Sequence, residues 1–204
     1  TLQVSALPYD PAAARTLLDV AGWSDRDGDG VREGPDGTRL TIELLYNQGN
    51  QARKRIAEIM QMQLREIGVE ATPQVLEWGA LIDKISNPEP RDFDGVVLAW
   101  VGEFRVDDTG LFHTAHVDGP NAYSGTRNQE LDRLLDTLGV VAHRDVARPL
   151  WARYEQVLAQ EQPYTFLYFR DRLMGVRATV QGMVLDARGE WVNVKDWWVE
   201  APEG

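Results

Sequence analysis

An α/β fold with a mixed sheet follows from three features of this 204-residue sequence. Segments with apolar residues at helical spacing alternate with short β-type runs along most of the chain. One of those runs, Val96-Val97-Leu98-Ala99, is apolar without alternation, as a strand covered on both faces requires. Gly, Pro, Asn and Asp stand at most of the expected element ends, where their backbone and capping preferences favour stops and starts.

The first helix starts at Asp10-Pro11, with Asp as N-cap and Pro at the first helical position. It carries Ala14, Leu17, Leu18 and Ala21 on one face, and Gly22 ends it. Residues 24–38 form a loop dense in Asp and Gly. Leu40 to Tyr46 reads as a strand. A helix is expected from about Gln51 to Ile67, with Ile56, Met60, Leu64 and Ile67 at helical spacing and Gly68 as its C-cap. Val69 to Trp78 reads as a second strand, which Pro73 confines to an edge or bulge. Residues 79–86 form a short amphipathic helix around Leu81, Ile82 and Ile85, and Phe93 to Trp100 is the third strand.

Residues 101–127 are Gly-rich with little periodicity and read as one long loop, which in a compact domain is usually functional. Asn128 caps a helix bearing Leu131, Leu134, Leu135 and Leu138, with Gly139 as its stop. A further helix runs to about Gln162, and Pro149 requires it to start late or bend. Tyr164 to Phe169 and Leu173 to Val176 are strand-like, and the Trp-rich tail 191–199 ends as a strand. No repeat or linker divides the sequence, so residues 1–204 are read as a single domain.

Composition narrows the function. A net charge of −11 argues against nucleic acid and against anionic lipid as partners, because both demand a basic surface. With no cysteine there is no disulfide, Cys-based zinc site or thiol catalysis. No apolar run approaches the roughly 18 residues that span a bilayer. The first residue is Thr rather than Met, so the chain is expected to be a mature or excised piece, and the lack of a leader does not assign it to the cytoplasm.

Two regions attract chemistry. The strand ending at Trp100 runs into a loop with Glu103, Phe104, Asp107 and Asp108. Ligands collect where strands of an α/β sheet give way to loops, and a carboxylate beside a Trp suits an amine-bearing ligand. Trp78, Trp100, Phe104 and Tyr123 are expected to line an apolar pocket there, with core packing as the competing reading for each ring. A solvated acidic loop is the plain alternative. Asp107 or Asp108 as half of a glycosidase pair is a third, but adjacent residues on an extended loop point apart. No nucleophile-elbow, dinucleotide or phosphate-loop pattern occurs, so no enzyme is expected.

The second region is Asp25-Arg26-Asp27-Gly28-Asp29-Gly30, which fits the start of a Ca²⁺ loop. Asp25, Asp27 and Asp29 converge three carboxylates, Val31 offers its carbonyl, and Asp36 stands at the closing position where Glu is usual. Glu33 is placed to contribute directly or through water. Gly34-Pro35 prevents an exiting helix, so the loop is not a full EF-hand. A bound Ca²⁺ would be structural, and an ion-free loop of Asx turns competes with it. No other cofactor is required. His113 and His116, with Asp118 nearby, have metal-like spacing but read as surface histidines.

Several segments together resemble the bacterial extracellular solute-binding proteins of family 5, the receptors of peptide, dipeptide, nickel and related ATP-binding-cassette importers. They are Tyr9-Asp10-Pro11 with Ala21-Gly22-Trp23, Asp27-Gly28-Asp29-Gly30-Val31, the strand Leu40 to Leu45, and Gln63-Leu64 with Ile67-Gly68-Val69. Asp92-Phe93-Asp94 leading to Ala99-Trp100, Asn121-Ala122-Tyr123, the helix with Leu131 and Leu135, and Tyr154 to Pro163 complete the set, which covers nearly the whole chain.

This resemblance implies the C-terminal lobe of a two-lobed receptor of the periplasmic-binding-protein-like type II class. It also implies a peptide or other small solute held in the cleft, and a membrane permease as partner. The location implied is periplasmic or extracellular, anchored through a segment outside this chain. In peptide-binding relatives an acidic residue just after the Trp-containing strand pairs with the ligand's α-amino group, and Glu103 most nearly matches it. Asp is usual there, and Asp107-Asp108 replaces the usual Asp-Pro. A calcium-stabilised extracellular interaction domain without a small ligand is the alternative function.

Overall fold

The structure, a computed structural model, describes residues 7–87, 91–101, 106–171, 173–186 and 189–200. Its contacts divide the chain into two compact units, Thr1–Ala99 with Asp108–Pro163, and Trp100–Asp107 with Tyr164–Gly204.

The first unit is built on a parallel sheet in the order β2-β1-β3. Strand β1 (Thr41–Asn47) pairs in register with β2 (Glu70–Leu76) from Thr41 opposite Glu70 to Asn47 opposite Leu76. Helix α2 (Gln51–Arg65) makes the crossover between them. Asn50 starts it by accepting the Arg53 amide at 3.1 Å, which satisfies one of the free donors of the first turn. Gly68, at φ +84°, ends the connection, and a side chain there would meet Arg32 at 2.7 Å. Pro73 sits in β2, at the sheet edge, where its missing N–H leaves no ladder bond unmade.

Alternation along β1 sends successive side chains to opposite faces. Leu44 packs with Ala57 of α2, Ala71 and Val97. Leu45 points the other way and is fully buried with Leu81 and Ile85 of α3 (Trp78–Ser86). The sheet is therefore covered on both faces, as the unbroken apolar run implied. The regular part of the third strand is only β3, Gly95–Val96, extended by the Val97 amide donating to Leu45 at 2.8 Å. The longer strand expected from Phe93 to Trp100 is corrected: apolar side chains pack on both faces, but the ladder bonds cover only its middle. The second strand stops at Leu76, and Trp78 opens α3 instead of closing the strand. Glu77 causes the switch, because its carboxylate accepts from Gly79 at 2.7 Å and caps the helix.

Residues 108–163 add a helical layer. The expected loop contains the short helix α4 (Thr109–Phe112) and a 3₁₀ turn at Thr114–His116. Phe112 and Val117 are buried there. Helix α5 (Gln129–Val140) starts at Asn128, which accepts from Glu130 and Leu131, and buries Leu131, Leu134 and Leu135. It passes through Gly139, which therefore does not stop it. Helix α6 (Arg144–Glu161) carries Pro149 inside and buries Tyr154, Val157 and Leu158. Proline there removes one helical hydrogen bond, a local loss that burial of three large side chains offsets.

The second unit contains one antiparallel pair, β4 (Val180–Gln181) with β5 (Trp198–Val199), so parallel and antiparallel pairing both occur in the chain. Asn193 ties it together: its amide donates to Gly182 at 2.7 Å and its oxygen accepts from Val184 and Trp197, both at 3.0 Å. The rings of Trp191 and Trp197 stack with centroids 5.4 Å apart. Residues 164–169 and 173–176, expected as strands, form no ladder among the described residues. No neighbouring strand among the described residues pairs with them, and β-type sequence without a partner does not make a strand.

Candidate functional site

The carboxyl ends of β1 and β2 are where an α/β sheet offers room for a ligand. Asn47 ends β1 there, and its side-chain oxygen accepts from Arg53 of α2 at 2.8 Å. The Arg53 guanidinium also lies 5.6 Å from the centre of the half-exposed Trp78 ring. This is a cation–π arrangement. Partial burial lowers the pKa of Arg53, although it stays charged at any ordinary pH. Asn47, Arg53 and Trp78 thus present one cation, one amide and one ring at the strand ends. Of these, only Trp78 was legible in the sequence. Asn47 looked like a turn residue and Arg53 like one of the polar residues on an amphipathic helix.

The other predicted ligand residues are spread through the chain. Trp100 is half-exposed and belongs to the second unit together with Asp107. Glu103 and Phe104 lie outside the described residues. Asp108 precedes α4, and its carboxylate accepts the buried Tyr154 hydroxyl at 2.7 Å, fastening α4 to α6. Tyr123 packs against the Leu45, Leu81 and Ile85 cluster. Burial raises its pKa, with a hydrogen bond to Ser86 opposing the shift.

Tyr123 also lines a recess of about 530 Å³ with Arg91, Asp94, Arg127 and Glu161. The recess is polar and open. Arg91 shapes its wall by donating to the carbonyls of Ala122 at 2.6 Å, Tyr123 at 3.3 Å, and Val117. A single guanidinium thereby fixes the 117–123 turn, a role with no sequence signal because its acceptors are backbone atoms.

The Asp-rich loop is ordered by its own carboxylates. Asp25 accepts from Gly28 at 2.7 Å and Gly30 at 2.9 Å, Asp27 from Asp29 at 3.1 Å, and Asp29 from Val31 at 2.9 Å. Arg39 reaches Asp29 at 2.6 Å and is the leading cause of that carboxyl's lowered pKa. Glu33 lies beneath, held by backbone bridges to Ser24 and Arg39 and only 7% exposed. One ligand atom from each of Asp25, Asp27, Asp29 and Glu33 falls within 4.8 Å of the others. Asp36, expected to close the loop, is turned away: its carboxylate accepts the Thr38 amide at 3.0 Å and hydroxyl at 2.9 Å. Glu33 stands in its place. His113, His116 and Asp118 do not gather into such a group among the described residues. His113 instead accepts from Ala115 at 3.0 Å in the turn after α4.

The sequence matches the family model described as bacterial extracellular solute-binding proteins, family 5 Middle, over residues 2–121. It is 31% identical to the oligopeptide-binding protein AppA of Bacillus subtilis over 97% of this chain and 36% of AppA. It is 26% identical to a dipeptide-binding protein of Pseudomonas aeruginosa over 78% of this chain and 28% of that protein. The chain thus spans about a third of the length of these relatives. The fold superposes on AppA in complex with a nonapeptide with a TM-score of 0.84, covering 98% of this chain and 40% of that one at 30% identity. NikZ of Campylobacter jejuni, solved with Ni(L-His), shares the fold at a TM-score of 0.71 and 21% identity, over 93% of this chain and 39% of that one. With its family model matched over more than half its length and its α/β fold that of a two-lobed receptor in part, the chain belongs to the bacterial extracellular solute-binding proteins of family 5.

Proposed function

We propose that this chain is the C-terminal ligand-binding lobe of an importer's substrate receptor. The whole receptor would capture an oligopeptide or related small solute between two lobes and deliver it to the membrane permease of an ATP-binding-cassette importer. It would work in the periplasm or outside the cell, anchored to the membrane through a segment beyond this chain. The observation that carries the reading is the end-to-end match to an oligopeptide-binding protein: 97% of this chain aligns, yet it fills only 36% of that relative.

The exposed apolar row at Phe166, Leu167, Tyr168, Phe169 and Leu173 fits the same reading. In the whole receptor these residues would pair with the remaining lobe, which would supply a backbone partner that is not found among the described residues. Glu103 is the residue proposed to pair with the ligand's ammonium through charge-assisted hydrogen bonds. Trp78, Trp100, Phe104, Asp107, Asp108 and Tyr123 are the other residues proposed to face the solute.

The test is calorimetric titration of the full-length receptor with free-amine and N-acetylated peptides. Binding of the free-amine form, weakened over about tenfold by Glu103→Ala, is expected for a lost charge-assisted pair. Equal affinity of that variant removes Glu103 from the site. A melting response to Ca²⁺ with none to any peptide would instead favour the calcium-stabilised interaction domain.

A further inference from the structure

We propose that Asp25, Asp27, Asp29 and Glu33 hold one Ca²⁺ ion, which clamps helix α1 to the entrance of strand β1. The proposal is independent of what solute the receptor carries.

Three exposed aspartates on a turn would not by themselves make a site, since their hydrogen bonds to the loop amides order them without an ion. Glu33 is the observation that points to a cation. Its side chain is more than nine-tenths buried, and Oε2 accepts the Arg26 amide at 2.9 Å. Oε1 is buried with no hydrogen-bond partner. A carboxylate with a buried, unbonded oxygen that also lies within one cluster with three further carboxylates is unfavourable twice over, through desolvation and through like-charge repulsion. A bound dication removes both penalties at once. Arg39, bonded to Asp29 through Oδ2 while Oδ1 serves the Val31 amide, offsets one charge of the four.

The donor set selects the ion. All four groups are carboxylates, hard oxygens that suit Ca²⁺ and Mg²⁺ rather than softer metals. Calcium binds oxygen at about 2.3–2.6 Å, so opposite ligands stand about 4.6–5.2 Å apart. The four atoms lie within 4.8 Å of one another, which fits that span. Magnesium, at about 2.0–2.1 Å with strict octahedral geometry, would need a tighter ring than these backbone-tethered groups form. The aspartate side is open to solvent, so water can complete the coordination of six to eight that Ca²⁺ takes.

The position explains what the ion would do. Helix α1 (Pro11–Val20) has no buried residue, and Leu17 is 70% exposed. Its place depends on tethers: Arg15 donates to the Glu66 carbonyl at 3.1 and 2.8 Å, and Arg32 bridges Asp19, the Trp23 carbonyl and the Ile67 carbonyl. Glu33 pairs with Ser24 on one side and Arg39 on the other. An ion bound to Glu33 and the three aspartates would lock that junction.

The test uses the 204-residue chain, stripped with EDTA, dialysed at low salt, and titrated calorimetrically with CaCl₂ and MgCl₂ alongside melting curves. One Ca²⁺ per chain, a higher melting temperature in Ca²⁺, and Mg²⁺ weaker by roughly tenfold or more are expected. Glu33→Gln keeps the side chain's size and an acceptor for the Arg26 amide, and should weaken Ca²⁺ by more than about tenfold while melting in EDTA no lower than the parent. Asp27→Asn, on the exposed side, keeps its acceptor for the Asp29 amide and should also weaken Ca²⁺, which carries the test should Glu33→Gln fail to fold. Absence of one-site Ca²⁺ binding, equal affinity for Mg²⁺, or unchanged Ca²⁺ affinity in the variants would overturn the proposal.

Discussion

Strand β1 and the segment from Tyr164 to Val176 draw on the same residue types and end in opposite environments. Leu44 and Leu45 of β1 are 3% and 0% exposed, whereas Phe169 and Leu173 are 101% and 93% exposed. The first has backbone partners on both sides and helices on both faces. The second forms no strand ladder among the described residues. Apolar, β-branched and aromatic composition therefore specifies a wish to be buried, and topology decides whether it is met.

The sharpest way to break this contrast is a matched pair of truncations. Leu45→Ala removes a fully buried side chain wedged between Leu81 and Ile85. It should cost about 2–5 kcal/mol in urea unfolding, from lost transfer energy and the cavity left behind. Phe169→Ala, a larger truncation, should change stability by less than about 0.5 kcal/mol in the isolated chain. Comparable losses at both positions would mean that the exposed row is packed in solution. In the full-length receptor the proposed pairing predicts that Phe169→Ala becomes costly, which would sharpen the contrast into one between a core made by this chain and a core completed by another lobe.

The same contrast extends to hydrogen bonds. Tyr154 is 2% exposed and gives its hydroxyl to Asp108. Tyr154→Phe keeps the ring's packing against Trp151 and leaves a half-buried carboxylate without that donor. A loss of about 1–3 kcal/mol is expected, measured by the shift of the urea midpoint at unchanged slope. No loss would show that water replaces the hydroxyl freely, and that α4 is held by its apolar face alone.

Much of this was legible from the sequence, for reasons that differ by element. The caps at Asp10 and Asn128 were readable because a capping side chain acts on the next few residues. The two-faced burial of Val96 to Leu98 was readable because period and composition report it. The end of the second strand was not, because Glu77 was not recognised as the cap that starts α3 one residue later. Nor were Arg53 and Arg91 marked out, since a guanidinium that meets a ring or backbone carbonyls across more than twenty residues leaves no local pattern. In the Asp loop the spacing indicated Asp25, Asp27 and Asp29 as direct ligands and Glu33 as one acting directly or through water. Asp36 filled the closing position by count, but Thr38 captures it and the bridges of Glu33 bring that residue in.

The smallest effect lies on the exposed side of the contrast, at the pair Glu130 and Arg153. Arg153 grips Glu130 with two bonds, at 2.6 and 3.0 Å, between α5 and α6. That contact is the leading cause of the lowered pKa of Glu130. A carboxyl whose pKa is lower in the folded chain than in the unfolded one binds fewer protons when folded. Its contribution is complete above the unfolded value of about 4.3 and drains away as pH falls through the folded value. Both side chains are well exposed, so solvent screens the pair and its contribution is small. Glu130→Gln should therefore melt slightly below the parent near neutral pH and low salt, and the two curves should converge as the pH drops below about 4 or as salt is raised. A difference that survived both would have to come from packing of the Glu130 stem rather than from its charge, and would place this exposed pair with the buried half of the molecule.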